Sequence, residues 1–167
     1  MSNEKKNIVI MAGGTGGHIF PGLAVGHALE KKGYNIYWLG ANGLELDLVP
    51  KHGFPLHSLT IQGLRGNGLK GWLGLPFKLS GAVREAMKFL KQVQPLCVVG
   101  FGGFAAAPGG IAAKLLRIPI IIHEQNAVPG LVNKVLSRLS RKNLAAFNAL
   151  LPNTTVVGNP IRENLLS

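Results

Sequence analysis

Short apolar runs alternate with longer segments of helical period along the whole chain. The runs are rich in β-branched residues and have the length of strands. They predict strands over residues 7–13, 34–40, 55–61, 95–101, 118–126, 143–148 and 154–160. The intervening segments predict helices over residues 21–33, 44–53, 79–93, 107–117 and 129–141. Pro21 is expected in the first turn of its helix. The residues expected to face inward from the last helix are Leu131, Val132, Val135, Leu136 and Leu139.

Strands that alternate with helices in this way are typical of βαβ units. The expected fold is therefore α/β, a Rossmann-like parallel sheet with helices on both faces. Sheets of this kind bind ligands beyond the carboxyl ends of their strands. The segments that follow the strands are the informative ones: GGTGGH (13–18), GFGGF (100–104), HEQN (123–126) and GNPIR (158–162). These four segments form the expected site.

The composition is globular, with 47% hydrophobic and 15% charged residues and a mean hydropathy of +0.25. No run of 18 apolar residues is present, and the N-terminal residues lack the pattern of a signal peptide, so neither a membrane span nor a leader is expected. The single cysteine, Cys97, lies in an apolar run and is expected to be a small buried hydrophobe. A reducing cytoplasm fits this cysteine usage.

The charge is strongly positive, with 18 Lys and Arg against 7 Asp and Glu and a formal net charge of +11. An excess of positive charge indicates which partners a protein can bind and does not indicate its fold. On composition alone, nucleic acid, an anionic membrane surface and a phosphate-bearing substrate all stay open.

The first glycine-rich loop has four glycines in five positions, Gly13, Gly14, Gly16 and Gly17. Glycines at a strand-to-helix junction let a ligand approach the backbone closely, and the N-terminus of the helix favours an anion, most often a phosphate. The dinucleotide fingerprint fails, because Ile19 stands at its third glycine and no acid ends the second strand. The Walker pattern fails too, because no Lys followed by Ser or Thr comes after the glycines. An NAD enzyme and a P-loop NTPase are both disfavoured.

His18 stands where the following helix begins, and the positive end of a helix favours a neutral imidazole that can accept a proton. A histidine that only caps the loop is the alternative. The HEQN segment places polar side chains directly after an apolar strand. Glu124 and Asn126 could hydrogen-bond sugar hydroxyls or an amide there, or they could anchor the turn before Pro129.

Five segments carry a resemblance to a known family: GGTGGHIFPGLAVG, GLRG, GFGGFAAAPGG, HEQNAVPGLVNK and VVGNPIR. In this order, from about Ile8 to Arg162, they resemble the N-terminal half of the MurG family of bacterial murein glycosyltransferases. The family implies the GT-B architecture, in which two Rossmann-like domains face each other across a cleft. It also implies transfer of N-acetylglucosamine from UDP-GlcNAc to undecaprenyl-pyrophosphoryl-MurNAc-pentapeptide (lipid I), which forms lipid II in peptidoglycan synthesis.

The resemblance implies that residues 1–167 are the acceptor-binding domain, and that the C-terminal donor-binding domain is absent from this chain. The isolated chain is therefore expected to be inactive. The implied reaction is an inverting displacement by the MurNAc C4 hydroxyl, with His18 as the candidate base and Glu124 as the reserve. No cofactor is expected, and no metal either, since no His, Cys and Asp cluster has the spacing of metal ligands.

The resemblance also implies binding roles for individual residues. Contacts to the donor are expected from Thr15, Gly16, Gly17, Asn126 and Arg162. The acceptor diphosphate is expected at Gly14, Gly102 and Gly103.

Much of the positive charge lies between residues 60 and 92, where Glu85 is the only acid. Within this stretch, LKGWLGLPFK sets apolar residues among glycines with lysines at both ends, and an apolar wedge with a basic rim suits an anionic bilayer. The expected membrane contacts are Lys70, Trp72, Leu73, Leu75, Phe77 and Lys78. The alternative is that Trp72 and Phe77 belong to the core.

The expected location is the cytoplasmic face of the bacterial inner membrane, as a peripheral protein. The expected partners are UDP-GlcNAc, lipid I and the anionic membrane surface. Nucleic acid is not expected, because the aromatic and basic residues are not interleaved on one groove-fitting element. A second class of function stays open, a non-catalytic phosphate-binding or membrane-binding module of the same fold.

Overall fold

The computed structural model describes residues 6–60, 73–148 and 150–161, and these form one seven-stranded parallel sheet flanked by helices. The strands are β1 (Asn7–Ala12), β2 (Asn35–Gly40), β3 (Leu56–Ser58), β4 (Cys97–Gly102), β5 (Ile120–Glu124), β6 (Lys142–Ala145) and β7 (Thr154–Val156). The helices are α1 (Gly16–Lys31), α2 (Glu45–Lys51), α3 (Leu75–Val93), α4 (Ala106–Leu115) and α5 (Leu131–Ser137). Each predicted strand and helix is present in this part of the chain.

The strand order is β3-β2-β1-β4-β5-β6-β7, with every neighbouring pair parallel. The chain builds outward from β1 to β3, returns to the middle at β4 and then builds outward in the other direction. The order therefore reverses between β1 and β4, and this reversal opens a crevice at the carboxyl ends of the two strands. The predicted Rossmann-like class is confirmed.

Side chains of β1 alternate between two separate cores, one on each face of the sheet. Ile8 and Ile10 pack in a cluster that includes residues of α1 and α2. Val9 and Met11 pack in the opposite cluster, which includes residues of α3, α4 and α5. Burial on both faces explains why the middle strands are almost continuously apolar in sequence.

Helix α1 begins earlier than predicted, and this changes the environment of the first glycine-rich loop. The backbone N–H groups of His18 and Ile19 both donate to the Thr15 carbonyl, at 3.1 and 3.2 Å, and close the first turn. Pro21 consequently lies in the second turn rather than the first. Gly16, Gly17 and His18 therefore belong to the helix and not to a loop before it.

The inward positions predicted for Val132, Leu136 and Leu139 are confirmed, since Leu136 is buried in the core and the other two pack against it. The prediction is wrong for Leu131 and Val135, which are 77% and 50% exposed. Asn133 and Ser137 are buried beside Leu136 on α5. The amide of Asn133 donates to Glu124 Oε2 at 2.9 Å. A polar anchor to the end of β5 thus fixes which face of this short helix is buried.

Candidate functional site

The glycine-rich loops after β1 and β4 lie directly against each other at the switch point of the sheet. Ala12 and Gly102 are partners across the β1–β4 pair, just beyond a register shift. A Cβ on Gly103 would lie only 2.3 Å from the carbonyl oxygen of Gly13. Glycine at 103 is therefore a requirement of the contact between the two loops.

His18 lies between these loops, on the first turn of α1. A Cβ on Gly102 would lie 2.7 Å from His18 Cε1, so the imidazole covers the place where a side chain would be. The His18 Nδ1 atom lies 3.2 Å from Gln125 Oε1, beyond the end of β5. The half-buried imidazole thus joins the carboxyl ends of β1, β4 and β5.

Glu45 supports the first loop, and the sequence analysis did not find it. Its side chain is fully buried at the start of α2. Oε2 accepts from the Gly14 N–H at 2.9 Å, and Oε1 accepts from the N–H groups of Ala41 and Gly43 at 2.8 and 3.2 Å. The carboxylate therefore ties the loop after β1 to the loop after β2. An acid in the first turn of a short helix was the available sequence feature.

The free backbone donors of the crevice come from the starts of α1 and α4. Within residues 6–60, 73–148 and 150–161, no group accepts a hydrogen bond from the N–H of Gly16, Gly17, Gly103, Phe104 or Ala105. Because the Gly14 N–H is directed to Glu45, Gly14 offers a ligand close approach rather than a donor. These five N–H groups at two helix N-termini suit an anionic ligand.

Glu124 anchors the loop that follows β5. Its buried carboxylate accepts four hydrogen bonds: at Oε1 from the backbone N–H and Nδ2 of Asn126, and at Oε2 from Gly130 N–H and Asn133 Nδ2. This geometry favours the anchoring interpretation of Glu124 over a role as base. Asn126 itself is exposed, with its amide nitrogen held by Glu124.

His123 and Gln125 form a buried polar pair behind His18. Gln125 Nε2 lies 2.9 Å from His123 Nδ1, and His123 Nε2 lies 2.9 Å from the Gly158 carbonyl oxygen. Burial lowers the pKa of His123 below its usual value of 6.5, against smaller raising effects of the Gly158 carbonyl and of the Glu124 charge. Burial therefore favours the neutral imidazole of His123 over the charged one.

The segment after β7 lies near the start of α1, where a cleft of about 460 Å³ opens. It is lined by Gly16, Gly17, Phe20, Pro21, Asn159, Pro160 and Ile161. The structure thus brings Gly16 and Gly17 to the same cleft as the segment that leads to Arg162. Arg162 itself lies outside the described residues.

The described part of the predicted membrane region is exposed. Leu73 and Phe77 are 76% and 80% exposed, Lys78 is exposed and Leu75 is half-buried. Phe77 is therefore not a core residue, while Lys70 and Trp72 lie outside the described residues. In the segments that the structure covers, no helix has the length and apolar character to cross a bilayer.

No group of three or more metal-ligating side chains occurs among the described residues.

The sheet order and the paired glycine-rich loops at its switch point define a Rossmann-like α/β domain with its candidate site at the carboxyl ends of the strands. The sequence profile of the glycosyltransferase family 28 N-terminal domain matches residues 8–144, and the chain belongs to this family.

Relatives with curated names agree with this assignment. The chain is 51% identical over 168 residues to the UDP-N-acetylglucosamine--N-acetylmuramyl-(pentapeptide) pyrophosphoryl-undecaprenol N-acetylglucosamine transferase of Pasteurella multocida, with 100% of this chain and 48% of that protein covered. It is 50% identical over 166 residues to the protein of the same name from Aliivibrio fischeri, with 99% of this chain and 47% of that one covered. The chain thus spans about half the length of the curated relatives it matches.

Solved structures show the same relationship. The crystal structure of Acinetobacter baumannii MurG superposes with a TM-score of 0.82 at 42% identity, over 95% of this chain and 47% of that one. The predicted resemblance to MurG is therefore confirmed. UDP-N-acetylglucosamine 2-epimerase from Rickettsia bellii shares the fold alone, with a TM-score of 0.63 at 14% identity over 93% of this chain and 45% of that one.

Proposed function

We propose that this chain is the acceptor-binding half of an inverting N-acetylglucosaminyltransferase that converts lipid I into lipid II, with UDP-GlcNAc as the donor. The observation that carries the proposal is the position of His18 between two glycine-rich loops with free N–H groups, in a chain of family 28. The names of its relatives, which specify this donor and acceptor, supply the substrates of the proposal.

In the proposed reaction the MurNAc C4 hydroxyl attacks the anomeric carbon of GlcNAc. The bond from that carbon to the diphosphate oxygen breaks, and UDP leaves with its electron pair. The hydroxyl proton passes to His18 Nε2, which makes no hydrogen bond to any other described residue. Glu124 is not the preferred base, because its two oxygens are occupied by four donors.

The proposed acceptor diphosphate lies against Gly102 and Gly103, where the N–H groups at the start of α4 are free. Gly14 is the third residue of this proposed surface, because the absence of a side chain there lets the diphosphate approach the backbone closely. The proposed donor contacts are Thr15, Gly16, Gly17, Asn126 and Arg162. Most of the donor site is assigned to a C-terminal domain, since the chain spans only about half of its relatives.

The first test is GlcNAc transfer to lipid I, measured for this chain alone and for this chain joined to the C-terminal half of the Pasteurella multocida relative. We expect turnover in the joined protein only. In the joined protein, His18→Ala is expected to lower kcat at least about tenfold, or about 1.4 kcal/mol. His27→Ala, on the same helix, is the matched control.

Two results would contradict the proposal in different ways. A smaller loss in His18→Ala would remove His18 as the base without affecting the assigned substrates. No turnover in the joined protein, with vesicle binding retained, would favour the non-catalytic module instead.

We also propose that the start of α3 attaches the protein to the cytoplasmic face of the bacterial inner membrane. The first buried residue of α3 is Ala82, and Leu79 packs against the core one turn earlier, so the first turn of the helix is its more exposed part. Phe77, Arg84, Lys88 and Lys91 are all exposed, and their spacing of seven, four and three places them on one stripe of the helix. Each basic side chain near an anionic surface contributes about 1 kcal/mol.

The acid of this helix does not oppose the basic stripe, because it is turned toward the sheet. Glu85 Oε1 lies 3.2 Å from His57 Nε2, and Oε2 accepts from the Thr60 N–H at 3.1 Å. The charged residues that α3 exposes are therefore all basic, and the helix carries an exposed aromatic ring, Phe77, at its start.

Co-sedimentation with phosphatidylglycerol vesicles tests the attachment. The double variant Leu73→Ala/Phe77→Ala is expected to bind at least about tenfold more weakly, since it removes two exposed apolar side chains from the contact. The matched control is Leu150→Ala/Val156→Ala, which removes two exposed apolar side chains near the opposite edge of the sheet. Unchanged binding in the first variant would exclude α3 as the anchor.

A further inference from the structure

A chain of hydrogen bonds leads from the segment after β7 to His18. It starts at the Gly158 carbonyl oxygen, which lies 2.9 Å from His123 Nε2. It continues from His123 Nδ1 to Gln125 Nε2 at 2.9 Å, and from Gln125 Oε1 to His18 Nδ1 at 3.2 Å. His123 and Gln125, the two middle residues of this series, are buried, with 3% and 7% of their surface exposed.

Two backbone carbonyl oxygens, those of Gly158 and His123, determine the direction of each hydrogen bond in this series. A carbonyl oxygen can only accept, so His123 Nε2 carries the proton and Nδ1 of the neutral ring accepts. The Gln125 amide donates to His123 Nδ1 and, at 2.8 Å, to the His123 carbonyl oxygen. Both of its protons are thereby used, and the reversed amide would set Oε1 against two acceptors. Gln125 Oε1 is left to accept from His18 Nδ1.

We propose that Gln125, held by His123, is a positioning residue that fixes His18 in the form protonated at Nδ1. The Nε2 lone pair of His18 is then the only basic site of the ring, on the partly exposed imidazole. The inference rests on the proposed function in one respect, namely that His18 Nε2 receives the acceptor proton. The arrangement of a base oriented by a hydrogen-bonded partner is the same principle that operates in catalytic triads.

Several observations agree with this direction of bonding. The lowered pKa of His123 keeps that ring neutral, as acceptance at its Nδ1 requires. The charged group that affects the pKa of His123 is Glu124, and the oxygens of Glu124 are held by other donors. Proton uptake at His18 Nε2 leaves its Nδ1–H bond to Gln125 intact, so no rearrangement is needed during the reaction.

The test is long-range ¹H–¹⁵N NMR of the histidine rings in the 167-residue chain at neutral pH, which distinguishes the two neutral ring forms. We expect His18 protonated at Nδ1 and His123 protonated at Nε2. In Gln125→Leu the His18 pattern is expected to shift toward the Nε2-protonated form.

Asn143→Leu is the control for lost stability, because Asn143 is also buried and bonds to two carbonyl oxygens outside this chain of bonds. It is expected to lower the unfolding temperature without changing the His18 pattern. An Nε2-protonated His18 in the unsubstituted chain, or an unchanged pattern in Gln125→Leu, would overturn the proposal.

Turnover in the joined protein separates the inference from the proposed function. Gln125→Leu is expected to lower kcat at least about tenfold while KM changes little, because the variant misdirects a base rather than removing a binding contact. Undiminished turnover in His18→Ala would overturn the role of His18 as base, whereas the NMR result would still decide whether Gln125 fixes the ring.

Discussion

The glycine-rich loops after β1 and β4 resemble each other in sequence but use their glycines for different contacts. In the first loop, Gly13 leaves room for a buried carboxylate, since a Cβ there would lie 2.7 Å from Glu45 Oε1. In the second loop, Gly102 leaves room for the His18 ring and Gly103 leaves room for the Gly13 carbonyl. The first loop is therefore supported by an acid from a neighbouring element, and the second is shaped by the first.

The difference shows that a run of glycines identifies positions without side chains but does not show which atoms occupy the space beside them. A phosphate-binding interpretation of both loops treats all of their glycines as facing a ligand. In this structure the space that a side chain would take at Gly13, Gly102 and Gly103 is occupied by other parts of the protein. The donors that stay free for a ligand come from the helix starts that the loops lead into.

The largest effect is expected at Gly103, where the loops touch. Gly103→Ala sets a Cβ 2.3 Å from a backbone oxygen, at a φ of +91°. Backbone strain of about 1–2 kcal/mol and overpacking of about 1–3 kcal/mol add, so we expect a loss of about 2–5 kcal/mol in unfolding free energy. Urea unfolding followed by circular dichroism measures it.

A variant of Gly103 that does not fold still tests the comparison, because soluble yield and far-ultraviolet circular dichroism then report the loss. Stability within about 0.5 kcal/mol of the unsubstituted chain would show that the loops can separate freely. The close contact between them would then have no structural importance.

The support of the first loop is tested next, by Glu45→Gln. The glutamine keeps the shape but offers one accepting oxygen to three N–H groups, so at least one buried donor loses its partner. We expect a loss of about 1–3 kcal/mol in unfolding free energy, with faster hydrogen exchange at the Gly14 amide. Asp47→Asn, in the same helical turn but exposed, is the matched control and is expected to cost less than about 1 kcal/mol. Equal losses in the two variants would mean that only the helix dipole matters.

The sequence alone predicted the fold well, because alternation and helical period are local properties of the chain. It also selected His18, since a histidine beside four glycines at the end of a strand is a local pattern. Glu45 and Gln125 were not assigned, because their roles depend on partners 31 and 107 residues away. Only the packing of the strands brings those partners together.

The start of α1 was missed for a related reason. Glycines and a proline argue locally against a helix at residues 16–21. The helix forms there nonetheless, and Ile19, in this first turn, is fully buried against β1 and β4 residues. Tertiary packing thus overrides local propensity in the turn that carries the candidate base.

A smaller effect is expected at Gly14, which has a φ of +86° but no heavy atom within 4 Å of the position of a Cβ. Gly14→Ala therefore adds backbone strain without a collision, and we expect a loss of about 1–2 kcal/mol. The ratio of the stability losses in Gly14→Ala and Gly103→Ala, measured in the same urea experiment, separates the cost of backbone strain from the cost of the steric contact. Equal losses at the two positions would remove the distinction between an open glycine and a packed one.

The smallest effect is expected at Gly17, an exposed residue within the first turn of α1. The nearest atom to a Cβ there is Thr15 Oγ1 at 3.6 Å, an ordinary contact, and its φ is not in the left-handed region. Because alanine favours a helix over glycine, Gly17→Ala is expected to raise the unfolding free energy by up to about 1 kcal/mol. A loss of stability would mean that this glycine, too, is required by a protein contact. A gain in stability together with weaker use of UDP-GlcNAc by the joined protein would instead indicate that a side chain at position 17 obstructs the ligand.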